Sequence, residues 1–472
     1  MRTSQESHFI RDLHSPLMHC VSRFSPFGRN SDEDSRVFWA HQMSSHSRTL
    51  ANETLVFARG TTVPPSGSSL KRQGSQTVME KVLILDANTR SALAATRSLG
   101  RKGVHVVVAD QTERSLSSAS KYCSESFAYP SPARDLEGFL ATVKAESSRR
   151  GIKVIFPMTE ISTANMLKHR EQVAPLKVPF VGIDTFNALT NKWNLLKLAQ
   201  QLNLSIPKTQ FVREISSLGA IYQALKFPVV LKPYRSRIWS HGRWICTSVQ
   251  YADSVEELKE IATQHEYFNR HPFLIQEYIS GEAQGIFALY DHGKPVSFFA
   301  HRRLRERPPS GGVSVLSESI EPNPEAQKTA RAILDYVGWH GVAMVEFKVS
   351  AKGTPYLMEV NGRFWGSLQL AIDAGVDFPW LLYQLATGRD LDRVNGYTTG
   401  VRCRWLLGDF ARLCRVLVSN GSSPRLPRFG KVQSVLQFLS FFEKASKYEV
   451  NRWDDVKPFL FELTQYVIAL AS

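Results

Sequence analysis

Three apolar runs separated by helix-length spacers set the strongest limit on what this chain can fold into. "KVLILDA" (81–87), "VHVVVAD" (104–110) and "KVIFPMT" (153–159) stay apolar instead of alternating, the pattern of strands covered on both faces. Between the first two lies "RSALAATRSLGRKG" (90–103), an amphipathic helix ending at glycine, so strand, helix and strand make a right-handed parallel unit. A second helix is expected around Leu136 to Arg149, before the third strand. No glycine-rich dinucleotide fingerprint follows the first strand, where the sequence reads "DANTRSA", which argues against a nicotinamide dehydrogenase.

From Asn191 the organisation changes. "NKWNLLKLAQQLNLSIPKT" (191–209) reads as a helix ended by a proline-containing turn. "FPVVLKPY" (227–234) and "WICTSVQYA" (244–252) read as two strands around a basic loop. "SVEELKEIATQHEYF" (254–268) reads as a helix capped by Ser254 with Glu257 three residues on, and "FLIQEYISG" (273–281) as a strand entering a turn. That succession is an α+β signature. Further strands are expected near "QGIFALYDHGKPVSFFAHRRLR" (284–305), then a Gly/Pro-rich loop and the helix "PEAQKTARAILDYVG" (324–338). The tail from about residue 391 holds amphipathic segments such as "RWLLGDFARLCRVLV" (404–418), expected to pack on the neighbouring domain.

The domain boundaries that follow are 79–187 for an α/β domain, 188–390 for the α+β part and 391–472 for a mainly helical region. Residues 1–78 are rich in Ser, Arg and His, lack apolar periodicity and read as a disordered extension, with Met79 as the native start. "SDEDS" (31–35) is wrong for an acid-poor transit peptide, and no signal-peptide apolar core is present. No run of about 18 uncharged apolar residues occurs, so no membrane span is expected. The five cysteines form no CxxC pair, which points to free thiols in a reducing, cytoplasmic setting. The net charge of +15 suits nucleic acid or polyphosphate substrates, but the basic and aromatic interleaving of a nucleic-acid site is missing.

"VEFKV" (345–349), "SAKGTP" and "YLMEVN" (356–361) read as a hairpin. Pairing Val349 with Tyr356 sets Glu346 opposite Glu359 and turns Val345, Phe347, Val349, Tyr356, Met358 and Val360 to one apolar side, with Asn361 beside Glu359 on the other. Facing carboxylates repel unless a cation lies between them. Two carboxylates and an amide oxygen are hard ligands that suit magnesium, and Arg363 just beyond could meet a phosphate or developing negative charge. A solvated polar face with salt bridges to Lys348 is the competing reading, and register alone favours neither.

At these residues the chain resembles the ATP-grasp superfamily, of the carbamoyl-phosphate-synthase-like, carboxylate-amine ligase type, over roughly residues 79–390. The resemblance implies a Rossmann-like pre-ATP-grasp domain followed by a two-part ATP-grasp domain and the helical C-terminal region. It implies that Glu346, Glu359 and Asn361 hold magnesium, with manganese as the alternative ion, and that Arg363 serves catalysis. It makes Lys232 in "VVLKP" and Lys192 in "TNKWNLLKLA" the ATP-contacting lysines, and "IQEYISGE" the adenine hinge. In that hinge Glu277 would offer a backbone carbonyl, Ile279 a backbone N–H, Gln276 a side-chain contact to the amino group and Glu282 a ribose contact. Tyr278 and Phe347 read as core.

One departure from the family pattern is plain. Where a glycine-rich flap usually covers the phosphates, the sequence reads "YRSRIWSHGRW" (234–244), with Gly242 as its one glycine and three arginines, Arg235, Arg237 and Arg243. Arg302, Arg303, Arg305 and Arg307 crowd a strand end between hinge and hairpin; with Arg303 and Arg305 on one strand face, they are expected to clamp an acceptor carboxylate or phosphate. The function implied is an ATP- and magnesium-dependent ligase joining a small carboxylate to an amine or other nucleophile, with a homo-oligomer compatible. An ATP-binding regulatory or assembly protein with little turnover is the alternative.

Overall fold

A computed structural model describes residues 79–309, 311–418, 430–440 and 446–471. The extension expected at 1–78 lies outside the described residues. The architecture is mixed α/β.

The three apolar runs form β1 (Lys81–Ile84), β2 (Val106–Asp110) and β4 (Ile152–Phe156). A fourth strand, β3 (Glu125–Ala128), was not foreseen, because "ESFA" is short and buries only Phe127 fully. All pairs are parallel, in the order β3-β2-β1-β4. Crossover helices span Arg90–Arg101, capped by the Thr89 hydroxyl, and Leu136–Arg150, capped by Asp135 and ended by Gly151 at φ 69°. Order reverses between β1 and β4, and Asp86, just after β1, bridges their carboxyl ends by accepting from Met158 N–H at 2.9 Å and Thr159 N–H at 2.8 Å.

The next sheet is antiparallel. β5 (Thr209–Val212), β6 (Val229–Pro233), β9 (Gln250–Ala252) and β10 (Phe273–Glu277) run in the order β5-β10-β6-β9. Between β6 and β9 the basic loop is itself a hairpin, β7 (Arg237–Ser240) and β8 (Arg243–Cys246), turning at His241 and Gly242, both at positive φ. The single strand expected over 244–252 is therefore two, interrupted at 247–249. Ser254 caps the helix Val255–Gln264 by accepting from Glu257 N–H, as the sequence indicated.

Seven strands make the third sheet: β11 (Gly281–Asp291), β12 (Lys294–Arg307), β13 (Val313–Ser319), β14 (Gly341–Ser350), β15 (Pro355–Asn361), β16 (Arg402–Arg404) and β17 (Ser446–Tyr448). Their order is β15-β14-β11-β12-β13-β16-β17, antiparallel except for the last pair. The region beyond 391 is thus more than helical, since β16 and β17 extend this sheet. Its helices cover Leu406–Val418, Lys431–Leu439 and Lys457–Ala471. Among the described residues no helix is long and apolar enough to cross a membrane.

Arg97, on the first crossover helix and 1% exposed, ties this tail back to the parallel sheet. Its guanidinium donates to Asp455 Oδ2 at 2.8 Å and to the carbonyls of Glu449, Val450 and Asp455. Such a cation is tolerable only when every donor is met.

Candidate active site

The hairpin β14–β15 has the expected pairing at its functional end and a different one near its turn. Glu346 lies opposite Glu359 and Val345 opposite Val360, but Phe347 pairs with Leu357 and Val349 with Pro355. Met358 is an extra residue, a β-bulge. Leu357 consequently takes the buried place expected of Met358, while Met358 and Glu359 share the polar face, and Tyr356 leaves the core side. Phe347 is buried as expected, whereas Tyr278 is 40% exposed and not a core residue.

Onto this face several elements deliver charge. Lys192, the first residue of the helix Lys192–Gln201 capped by Asn191, places Nζ 2.8 Å from Glu359 Oε2. Lys232 leaves β6 with Nζ 3.3 Å from Met358 Sδ. Arg303 on β12 reaches Glu346 Oε2 at 2.5 Å and Glu306 Oε1 at 3.1 Å. Asn361 Nδ2 donates to Glu346 Oε1 at 3.0 Å and to Glu359 Oε1 at 3.4 Å. Arg363 follows, hydrogen-bonded to Asn361 Oδ1 and to the Phe364 carbonyl.

The electrostatics follow from burial against these pairings. Burial alone would raise the Glu359 carboxyl, but Lys192, Lys232 and Arg303 together hold it low. Glu346 is pushed up by burial and by Glu359, against the pull of Arg303. Burial, with Lys192 nearby, pushes the Lys232 ammonium down to about 8, whereas Glu359 keeps Lys192 above its ordinary value.

The segment expected as the hinge lies one strand from Lys232. Within β10, Leu274 pairs with Lys232 and Gln276 with Val230. Gln276 is 1% exposed; its Nε2 donates to Thr209 Oγ1 at 2.8 Å, and its Oε1 has no partner among the described residues. Glu277 is tied to Lys208 twice, its carboxylate accepting from Lys208 N–H at 2.9 Å and its own N–H donating to the Lys208 carbonyl at 3.0 Å. Ile279 follows β10, and Glu282, second in β11, is held by Arg302 at 3.3 Å and Gln284 at 2.7 Å.

Arg305 is not part of this assembly. Arg303 pairs with Ser317 and Arg305 with Leu316, so Leu304 is a bulge and the two arginines point to opposite faces of the sheet. Arg305 instead pairs with Asp409 on the helix Leu406–Val418 at 2.6 Å, an ion pair shared with Arg404. The expected shared face is corrected by that one inserted residue. Arg302 pairs with Glu318 and Arg307 with Tyr466.

Sequence reasoning missed Glu160, Thr190 and Ser236, which with Phe186, Lys192 and the stretch from Glu359 to Arg363 line a small cavity. Glu160 begins the helix after β4 and carries no signal distinguishing it from a first-turn acid. Glu346, Glu359 and Asn361 present oxygens of the hard class magnesium takes, provided the Asn361 amide turns end for end. The unpartnered Gln276 Oε1 is an acceptor suited to an amino group such as that of adenine.

A family model described as "ATP-grasp in the biosynthetic pathway with Ter operon" matches residues 269–408. The D-aspartate ligase of Enterococcus faecium is 22% identical over 210 residues, 42% of this chain and 49% of that protein. The carbamoyl phosphate synthase large chain of a Thermoanaerobacter species is 25% identical over 235 residues, 48% of this chain and 21% of that one. The chain thus spans less than half the length of the curated relatives it matches. Among solved structures, an L-amino acid ligase from Bacillus licheniformis aligns with TM-score 0.53 at 18% identity, covering 66% of this chain and 75% of its own. An ADP complex of N5-carboxyaminoimidazole ribonucleotide synthetase aligns with TM-score 0.56 at 13% identity, covering 72% and 86%.

Proposed function

We propose that this chain is an ATP-grasp enzyme, an ATP- and magnesium-dependent ligase that activates a small carboxylate as an acyl phosphate and joins it to an amine or other nucleophile. The observation that carries this reading is the convergence of Lys192, Lys232, Arg303, Glu346 and Glu359 on one face of a hairpin beside a hinge with a free acceptor.

On this reading residues 79–187 are the Rossmann-like pre-ATP-grasp domain, 188–390 the two-part nucleotide clamp and 391–472 a closing region. Gln276, the Glu277 carbonyl and the Ile279 N–H receive adenine, and Glu282 the ribose. Lys192 and Lys232 receive phosphate oxygens, for which Lys192 exchanges Glu359 as its partner. Magnesium, or manganese, held by Glu346, Glu359 and Asn361 would offset charge on the transferring phosphoryl group. Arg363 and Arg303 supply the remaining positive charge beside the transferred group, where fixed cations in a dry site act most strongly. No side-chain nucleophile is required, because positioning and charge do the chemistry.

The arginine-bearing hairpin β7–β8 favours the second reading, an ATP-binding regulatory or assembly protein, since its His241–Gly242 turn offers little of a glycine-rich phosphate cradle. On the ligase reading the partners are small molecules, with no nucleic acid and no membrane span, in the cytoplasm. The deciding experiment is ADP release by the purified protein with magnesium against pools of carboxylates and amines. Release that needs one member of each pool supports the ligase; nucleotide binding without release under any pool supports the regulatory reading.

A further inference from the structure

At the far end of β11 from the hinge, the chain turns to β12 through His292 and Gly293, both with positive φ, 44° and 82°. Two such residues in sequence are what a tight two-residue hairpin turn demands, and glycine serves there at no cost while histidine does not. Asp291 ends β11 beside this turn, and His340 stands immediately before β14, which neighbours β11. Two backbone links hold the segments together: Gly293 N–H donates to the Trp339 carbonyl at 2.7 Å and His292 N–H to His340 Nδ1 at 3.3 Å. The imidazoles of His292 and His340 stack 4.0 Å apart with their planes 28° from parallel. Both Nδ1 atoms look onto one carboxylate oxygen, Asp291 Oδ1, at 2.7 Å and 3.6 Å.

We propose that Asp291, His292 and His340 form a binding site for a divalent transition metal of the zinc class, separate from the magnesium carboxylates. Two imidazole nitrogens and a carboxylate oxygen are the donors such ions prefer over magnesium or calcium. Ligand bonds of about 2.0–2.1 Å in tetrahedral array put donor atoms roughly 3.3 Å apart. The observed 2.7 Å and 3.6 Å bracket that value, and the three donor atoms all lie within 4.8 Å of one another. Small ring rotations would therefore complete three corners. His340 Nδ1 is held toward the turn by accepting from His292 N–H at 3.3 Å, a long bond that the ion would replace. Arg170, whose charge opposes a cation at His340, is engaged by the carbonyls of Val178, Phe180 and Val181. His292, 79% exposed, leaves the fourth position to water or an external ligand, so the ion would be exchangeable and not a sealed structural one.

Site and magnesium centre lie on the same strand. His340 precedes Gly341, and Glu346 lies six residues beyond His340, about 20 Å at strand rise. The ion would clip the β11–β12 turn to the start of β14 without touching the nucleotide face.

The test uses the full-length protein stripped with chelator, titrated with Zn²⁺ by calorimetry and with Co²⁺ by visible absorption, in excess Mg²⁺. The expected result is a site in the wild type whose affinity falls by on the order of 100-fold in both His292→Ala and His340→Ala, since even outer-shell partners of a metal cost 10 to 100-fold. His292 is exposed, so His292→Ala keeps the test meaningful should His340→Ala fail to fold. Zn²⁺ should raise Tm in the wild type and not in either variant. Binding that survives in both variants and is lost in Glu346→Gln puts the ion at the carboxylate hairpin; binding that survives in all three puts it elsewhere in the chain. Either outcome overturns the proposal, as does absence of any Zn²⁺ or Co²⁺ binding in the wild type. None of these readouts depends on ligase activity.

Discussion

Replacing Glu346 by glutamine tests whether the facing carboxylates are a strained pair waiting for a cation or two members of separate ion pairs. From the sequence alone, removing one charge should relieve repulsion in the metal-free protein. Side-chain packing reverses that sign. Glu346 and Arg303 are 16% and 14% exposed with 2.5 Å between their charged atoms. Unit charges about 4 Å apart attract by roughly 4 kcal/mol at an effective dielectric near 20, and breaking a buried pair from one side typically costs about 3–5 kcal/mol. Two features reduce the loss. Arg303 keeps Glu306 at 3.1 Å, and like charge on Glu359 already opposes ionisation of Glu346. We expect Glu346→Gln to lower unfolding free energy by about 2–3 kcal/mol, at or just below the low end of that range. The assay is urea unfolding at pH 7 in chelator, and in an Arg303→Leu background the same substitution should cost nothing. A variant as stable as the wild type, or more so, would refute the ion-pair account and restore the repulsion account. In the same preparations Glu346→Gln and Glu359→Gln should each lose magnesium-dependent ADP release, and undiminished activity in both would sink the metal assignment.

Lys232→Ala should weaken ATP binding and remove its pH dependence. The wild-type affinity should fall as pH rises above about 8, because phosphate favours the charged ammonium and must pull protons onto Lys232 there; calorimetry between pH 7 and 9.5 measures it. Arg305→Ala should leave ATP affinity unchanged yet cost about 3 kcal/mol of stability in denaturant unfolding, since it takes a guanidinium partner from the buried Asp409, with Arg404 still paired to it. Gln276→Leu should weaken ATP by a factor of about 5–10, the worth of one neutral hydrogen bond, without changing melting temperature.

Local pattern carried much of this molecule. Parallel strands at 81, 106 and 152, the Ser254 cap, and the opposition of Glu346 to Glu359 all follow from periodicities that neighbouring residues impose on one another. Bulges broke the pattern twice. Nothing near Leu304 or Met358 announces an extra residue, because a bulge is decided by the partner strand, and each one flips every side chain beyond it. Arg305 was lost to the site in this way, and Met358 was gained by it. Partners distant in sequence were equally illegible. That Lys192 would meet Glu359 depends on a helix docking against the seven-stranded sheet, that Arg303 would meet Glu346 depends on β11 pairing between their strands, and Glu160 looks like any acid at a helix start.

The buried guanidinium of Arg97 has a bearing on how the chain is made. Its carboxylate partner Asp455 lies 358 residues away, so during synthesis the first parallel sheet emerges long before the group that neutralises its crossover helix. Until then that helix carries an uncompensated charge in a place built to exclude water, and it can dock fully only after the tail has left the ribosome. A premature stop ahead of residue 446 would therefore damage the beginning of the protein as much as its end.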